Sequence, residues 1–423
     1  MILILIIVMI FLIIKKLIYY NTGYINTIIN KRMSQHKFMD FIYSYTEKYD
    51  KYRKTLLQDS LLDDNTYESL MLQFHKENII EFQEKIEQIQ NSKIMSFNQS
   101  GIITKKLNID LKNKLLENIN LFSNKQIPDY HPGSDNKVQD IIHPSLYPLQ
   151  INLNKEFNSD IVQDYWNRPY EDSKYQWLPS EFGIDQDGKC NIESYINNLP
   201  FTLENAELYK SIQELFEYTL TEFEKVWFKA QQDNSTNISL RNRKLQVITK
   251  IVKISLIDDN LIGAWHVEGM SHENIIATAS CTLEQDTELN AELFFKRTYT
   301  EGEAESLTFN THQNPSTELV ELLNKTYIPL GKVQITEDDL IVFPNSHIHK
   351  VDMKINENTK CIKSRTILVF WLINPDIRIT STKDIEQQDY DINQAYINRL
   401  ELMKERTLHK QSFNQRELNL CEH

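Results

Sequence analysis

Between Leu245 and Pro375 the chain passes through "LQVITKIVKISLI", "NIIATASCTL", "AELFFKRTY", "DDLIVFPN" and "SRTILVFWLINP", each rich in Val, Ile, Thr or Phe and several alternating apolar with polar. β-Branched and aromatic residues suit a pleated, half-buried surface, and alternation sends successive side chains to opposite faces. No helical pattern interleaves these segments. Short strands joined by polar turns without crossover helices point to an antiparallel sandwich or barrel.

Helical periodicity flanks this region. From about Ser34 to Gln90 apolar residues recur at helical spacing in a charged background with no proline. "IPDYHPGSDN" and "IIHPSLYPL" then read as irregular chain, by their proline and glycine. Leu203–Ala230 returns to helical spacing, with a stripe of Leu, Ile and Phe that must pack on something. The final stretch, from "DINQAYINRL" onward, predicts a charged, solvated C-terminal helix.

Forty-six basic against fifty-nine acidic residues give a net charge of −13. That balance lacks the basic footprint of phosphate-backbone binding, so nucleic acid is disfavoured as a partner. Cys190, Cys281, Cys361 and Cys421 are widely spaced with no CxxC pair, which suggests neither a zinc knuckle nor a disulfide framework and fits a reducing, cytoplasmic setting. At the N-terminus "MILILIIVMIFLII" precedes Lys15 and Lys16. Such a run spans about 21 Å as a helix, short of the ~30 Å hydrocarbon core unless Leu17–Tyr20 extend it past snorkelling lysines. A membrane anchor over residues 1–20 and a buried N-terminal helix are both open readings; as an anchor, the lysines place the body in the cytosol.

Within the β-rich region "WHVEG" sets His266 and Glu268 one residue apart, so on a strand both side chains share a face. An H-x-E pair alone is common. About eighty residues on, "LIVFPNSHIHKV" adds His347 and His349 in a β context. Two histidines and one carboxylate with open positions form the facial triad of non-haem Fe(II) oxygenases. Arg365 opens the next strand, sixteen residues after His349. Its planar fork matches a carboxylate, which suits the far end of 2-oxoglutarate, although a solvated arginine at a strand start is the ordinary alternative.

Six segments carry a resemblance in order: "IIHPSLYPL", "YQWLPSEFGIDQDGKCNIESYINNLP", "WHVEGMSHENIIAT", "LFFKR", "IVFPNSHIHKV" and "RTILVFWLINPD" with the following "ITST" and "QQ". Together they cover roughly Ile141 to Gln388, and the chain resembles domain-of-unknown-function family 4246, a eukaryotic family best represented in fungi. The resemblance implies a double-stranded β-helix (jelly-roll, cupin-like) core over 141–388; with the helical patterns on either side the expected fold is α+β, with a hydrophobic segment over 1–22, a helical N-terminal region over 23–140 and a C-terminal helical tail over 389–423. The resemblance also implies Fe(II) and 2-oxoglutarate as cofactors, with His266, Glu268 and His349 as metal ligands, His347 as the fallback and Arg365 on the co-substrate carboxylate. "LINP" and "DIEQQ" depart from the family's "LVDP" and "VPPQ", beyond the proposed ligands.

Nearby residues have two readings each. Trp265 and Asn345 either orient the ligands or are a buried tryptophan and a turn asparagine. Glu273 and Asn274 match the family's "HEN" and are candidates for hydrogen bonds near the site. Arg297 is either a second anion anchor or half of a cross-strand charge pair, and His272 is expected to face solvent. Three functional classes remain: an Fe(II)/2-oxoglutarate oxygenase of unknown substrate; a catalytically silent interaction module, which takes up no iron; and a cupin-like protein with a non-iron metal, whose activity survives Arg365→Ala.

Overall fold

The computed structural model describes residues 64–94, 96–151, 173–231, 239–257, 260–298, 327–355, 361–385 and 392–414, with a few positions between 44 and 58. The apolar run at residues 1–22 lies outside the described residues. Among the described residues no helix is long and apolar enough to cross a membrane. The chain divides into two units, one of Met1–Ser92, Lys296–Gly331 and Arg416–His423, the other of Lys93–Phe295 and Lys332–Gln415.

The first unit carries the long helix α1, Asp64–Gln90. Its Phe74 stacks on Tyr52 with ring centroids 4.9 Å apart, and the Gln90 amide donates to the Gly331 carbonyl at 3.2 Å.

In the second unit the elements follow as β1 (Ile103–Lys106), α2 (Ile109–Ser123), β2 (Val138–Ile142), β3 (Leu149–Gln150), β4 (Tyr175–Gln176), β5 (Ser180–Ile184), β6 (Cys190–Ile192) and α3 (Ala206–Gln231). The expected β region then supplies β7 (Arg243–Leu256), β8 (Leu261–Ile262), β9 (Ile275–Gln285), β10 (Leu289–Arg297), β11 (Ile328–Ile335), β12 (Asp339–Pro344), β13 (His347–Ile355) and β14 (Lys363–Ile373), before α4 (Ile392–Asn414). The last residues of β10 and the first of β11 belong to the first unit.

Strands β7 to β14 are divided between two sheets. The larger runs in the order β1-β12-β9-β14-β7-β5-β6 with β2 also on β7, and the smaller runs β11-β10-β13-β8. The chain therefore crosses between sheets at β7–β8, β8–β9, β9–β10, β11–β12, β12–β13 and β13–β14. That path is a double-stranded β-helix, the jelly-roll solution to sheet edges.

Register identifies the faces of the larger sheet. Trp371 on β14 lies opposite Ile248 on β7 and Thr278 on β9, and Thr278 lies opposite Phe343 on β12. Directly paired residues share a face, and Phe343 meets Phe295 of the smaller sheet at 4.9 Å. This row thus lines the barrel interior. The alternate residues Leu368, Phe370 and Leu372 face outward and pack with Leu115 and Ile119 of α2 and Leu215, Phe216 and Phe223 of α3. In α3 the buried Leu208, Ile212, Leu215, Phe216, Leu220, Phe223, Val226 and Trp227 recur every three or four residues, the single stripe expected of a helix lying on a sheet. Asn108 caps α2 by accepting from the Leu111 N–H at 3.0 Å.

Two expectations change. The segment before Ile141 is not helical throughout, because β1 pairs with β12 and β2 with β7; strands of four and five residues have too few alternations to be seen. The C-terminal helix is solvated on one face only. Ala395, Arg399 and Leu402 of α4 are buried, and Arg399 reaches Asp129 (2.7 Å) and Asp140. Much of its inner face consists of charged side chains with buried partners, which sequence composition alone reads as a wet surface.

Candidate metal centre

After β8 the chain continues alongside β13. The Gly263 N–H donates to the Val351 carbonyl at 2.9 Å, and His266 and His349 form an isolated antiparallel bridge. A side chain at Gly263 would put Cβ 2.6 Å from the Val351 oxygen, so only glycine allows this approach. Gly269, at φ +65°, turns the chain directly after Glu268, where a Cβ would sit 2.6 Å from the Glu273 carboxylate. These two glycines let the H-x-E segment lie flat on β13 and then leave it.

The ligand-type atoms of His266, Glu268 and His349 all lie within 4.8 Å of one another. Glu268 Oε1 is 3.3 Å from His349 Nε2 and 3.9 Å from His266 Nε2. His266 Nδ1 is 2.8 Å from the Ala264 carbonyl, and His349 Nδ1 is 3.2 Å from the His347 carbonyl. A carbonyl only accepts, so each Nδ1 carries a proton and each Nε2 is left facing the carboxylate. Asn345 holds Glu268 on both sides: its Oδ1 accepts from the Glu268 N–H and its Nδ2 donates to the Glu268 carbonyl, each at 2.8 Å. Burial would raise the Glu268 pKa, but where the rings also carry a proton on Nε2, the hydrogen bond from His349 and the positive charges of His266, His349 and Lys250 hold it well below the usual carboxylate range. Phe343 and Phe295 close the apolar side of His349, at 4.8 and 6.1 Å between ring centroids.

The other expected residues separate. His347 Nε2 donates to the Ser100 carbonyl at 2.6 Å, so the bridge and the cluster use His349. Arg365 is 2% exposed on the interior face of β14; its Nη2 donates to Thr282 Oγ1 at 3.0 Å, while Nε is buried with no partner among the described residues. Burial lowers the Arg365 pKa to about 10, with Asp339 opposing. The Lys350 ammonium lies 5.5 Å from the Trp265 ring centroid. Asn274 ends a turn at φ 50° and donates to the His272 carbonyl. His272 is half-buried with Nε2 3.0 Å from the Tyr175 carbonyl, and Arg297, in the other unit, donates to the Thr298 carbonyl.

Glu273 is fully buried and joins three elements. It accepts from the backbone N–H groups of Trp177 (2.5 Å) and Met270 (2.7 Å) and from Arg406 of α4 (2.6 Å). The Arg406 guanidinium also lies 3.7 Å from the Trp177 ring centroid, and Trp177 stacks on Trp371 at 4.9 Å. Removing this carboxylate would leave buried donors from three directions without an acceptor.

Sequence reading missed a second cluster of the same composition, His131, Asp140 and His143. Its only local signal is the D-x-x-H spacing in "DIIH". Its hydrogen bonds differ from those of the first. His143 Nδ1 accepts from the Ser145 N–H at 3.1 Å, so the neutral ring carries its proton on Nε2. His131 Nδ1 and Arg399 both engage Asp140 Oδ2. Burial pushes the His143 pKa well below its ordinary value. Burial opposes the Asp140 charge, but the hydrogen bond from His131 and the positive charge of Lys250 keep its carboxyl below the usual range. The cation on this carboxylate is already present as Arg399, so this cluster is an internal ion network.

The fold and the first cluster together define a jelly-roll protein that presents two imidazoles and one carboxylate from neighbouring strands. The chain belongs to the family described as "Protein of unknown function (DUF4246)", whose model matches residues 73–240 and 227–396, most of its length. No curated protein matches the sequence. Among solved structures the chain is similar to the Fe(II)/(alpha)ketoglutarate-dependent dioxygenase TqaL, at 9% identity and TM-score 0.36 over 73% of this chain and 93% of that one. It is also similar to IDO from Bacillus thuringiensis, at 10% identity and TM-score 0.34 over 69% and 97%. A third is HygX from Streptomyces hygroscopicus with nickel and 2-oxoglutarate bound, at 9% identity and TM-score 0.28 over 67% and 92%. Likeness of that degree decides nothing about chemistry.

Proposed function

We propose that this protein is an Fe(II)/2-oxoglutarate-dependent oxygenase, with His266, Glu268 and His349 as the metal ligands and Arg365 as the anchor for the co-substrate's distal carboxylate. One observation carries the reading. Both Nδ1 protons are committed to backbone carbonyls, so His349 Nε2 and Glu268 Oε1 meet at 3.3 Å with lone pairs toward each other. That contact is favourable only if a cation is shared there, either a proton or a metal ion. A divalent metal satisfies both imidazoles and the carboxylate at once, and two histidines with one carboxylate suit non-haem iron.

Arg365 fits the second cofactor. A buried guanidinium with one hydrogen bond to Thr282 and an orphaned Nε offers donors that a carboxylate oxygen would accept. The bound metal and keto acid supply the oxidation of a substrate C–H bond; the protein supplies position and a dry surround. Asn345 holds the Glu268 backbone, while Phe343 and Phe295 keep water from the inner side of His349.

Anaerobic titration with Fe(II) and then 2-oxoglutarate tests this. The expected result is the weak visible charge-transfer band of the chelate in the wild type and its loss in His266→Ala. A folded protein that takes up metal but never shows the band would favour a non-iron site, and one that takes up no metal would favour a silent interaction module.

A further inference from the structure

The interior of the barrel holds a second cation that the reading above does not use. Lys250 lies on β7 opposite Val369 of β14. It is two residues from Ile248, which is opposite Trp371, so its side chain stands on the same interior face as the Phe343–Thr278–Trp371 row. Its Nζ is 5.9 Å from the Trp371 ring centroid. The side chain is half-buried, and among the described residues no carboxylate pairs with it. Three other lysines of the same sheets are paired, Lys244 with Glu193, Lys332 with Glu292 and Lys363 with Glu288.

Two unsatisfied polar atoms belong to the same face. Trp371, 2% exposed, has its indole Nε1 buried without a partner, and Thr278, 1% exposed, has its Oγ1 in the same condition, among the described residues. An indole N–H can only donate, and a hydroxyl can donate or accept. A buried donor without an acceptor costs its desolvation, and here two potential donors and an unpaired ammonium stand on adjacent positions of three neighbouring strands. What they lack in common is an acceptor with negative charge.

We propose that Lys250, Trp371 Nε1 and Thr278 Oγ1 form a second anion subsite inside the barrel, which takes a carboxylate of the primary substrate and so makes that substrate a carboxylic acid. The assignment to substrate rests on the oxygenase reading; the anion site itself does not. One ammonium, one N–H and one hydroxyl match one carboxylate in charge and number of donors, whereas a phosphate dianion would call for more positive charge. The co-substrate has its own anchor in Arg365, four residues along β14 from Val369, about 13 Å along the strand. The proposed subsite lies toward the triad instead, since its Thr278 is paired with Phe343, whose ring is 4.8 Å from that of His349. A carboxylate on Lys250 would hold the rest of an acid substrate near His266 and Glu268.

The full-length protein is titrated with sodium acetate and sodium benzoate, and with acetamide and benzamide as uncharged counterparts. Tryptophan fluorescence is followed first without metal, then after anaerobic loading with Fe(II) and 2-oxoglutarate, where the chelate band is read as well. The acids are expected to give a saturable change that the amides do not. Lys250→Met should weaken acid binding roughly tenfold or more while the 2-oxoglutarate concentration that half-forms the chelate stays at the wild-type value. Lys250→Arg, which keeps the charge, should retain the acid response and covers the case in which the methionine variant does not fold. Acids and amides behaving alike, or no response to acid in the wild type, overturns the anion site. A tenfold loss of 2-oxoglutarate affinity in Lys250→Met overturns the substrate assignment, because the anion is then the co-substrate's own. If the chelate never forms in the wild type, the oxygenase reading fails, and the metal-free titration still decides the subsite.

Discussion

His266 and His349 exchange both backbone hydrogen bonds, each N–H donating to the other's carbonyl at 3.0 and 2.9 Å, and their imidazoles lie 4.4 Å apart between ring centroids. The two histidines of the proposed ligand set are therefore a cross-strand pair. Their separation is set by backbone pairing, and the strand after β8 cannot slip without moving a histidine to the other face. Glu268, two residues on, is held to the same strand end by Asn345.

Metal uptake should depend on both the ligands and their support. Isothermal titration with Co(II) as a probe is expected to give one site per chain in the wild type and none in His349→Ala. Asn345→Ala, which leaves all three ligands in place, should weaken the site about 10–100-fold. Wild-type affinity in the asparagine variant would mean that the Glu268 backbone needs no clamp.

Arg365→Met should raise the 2-oxoglutarate concentration for half-formation of the chelate by roughly tenfold or more, the loss expected for a charge-assisted contact. Metal affinity measured without 2-oxoglutarate should be unchanged, because the guanidinium bonds to Thr282 and not to the cluster. An equal loss in both measurements would reduce Arg365 to a structural role.

Stability should fall on mild acidification through His143. Burial lowers its folded-state pKa well below the ordinary value near 6.5. Above that value neither state holds a proton on this ring; below it the unfolded chain does and the folded chain does not. Its contribution is thus present at neutral pH and is lost as pH falls below about 6.5, with a slope of up to about 1.4 kcal/mol per pH unit. Urea midpoints between pH 7.5 and 5 should decline less steeply in His143→Gln than in the wild type. Parallel curves would show that the ring does not stay neutral in the fold.

Arg406→Leu should destabilise the folded chain strongly. It leaves the fully buried Glu273 carboxylate with two backbone donors and no counter-charge, and breaking a buried pair from one side costs about 3–5 kcal/mol. Chemical denaturation measures this directly. A loss below about 1 kcal/mol, in the range of an exposed pair, would place the charge balance elsewhere.

The β region and the α3 stripe were legible because each repeats a period over many residues, and the H-x-E pair because its two side chains share a face in any strand. The choice between His347 and His349 was not legible, since both point the same way along β13. It depends on Ser100, nearly 250 residues distant in sequence, accepting from one ring while the other meets His266. Lys250 left a trace: in "QVITKIV" it falls at the parity of Ile248 and Val252, an inward position. Its significance depends on Trp371 and Thr278, which arrive from other strands. The ion network of Asp129, Asp140 and Arg399 left almost none, because a buried arginine on a polar helix has the composition of an exposed one.

By itself, then, the sequence determined what is periodic and local: an antiparallel β core, a helix made to cover it, and a histidine and a glutamate on one face. The tertiary structure decided which histidine completes the cluster, which arginine is buried with an unused donor, and which of two His/Asp/Glu clusters already carries its own cation. Those outcomes depend on hydrogen-bond partners and burial supplied by residues far apart in the chain, and no short-range pattern encodes which partner a side chain will meet.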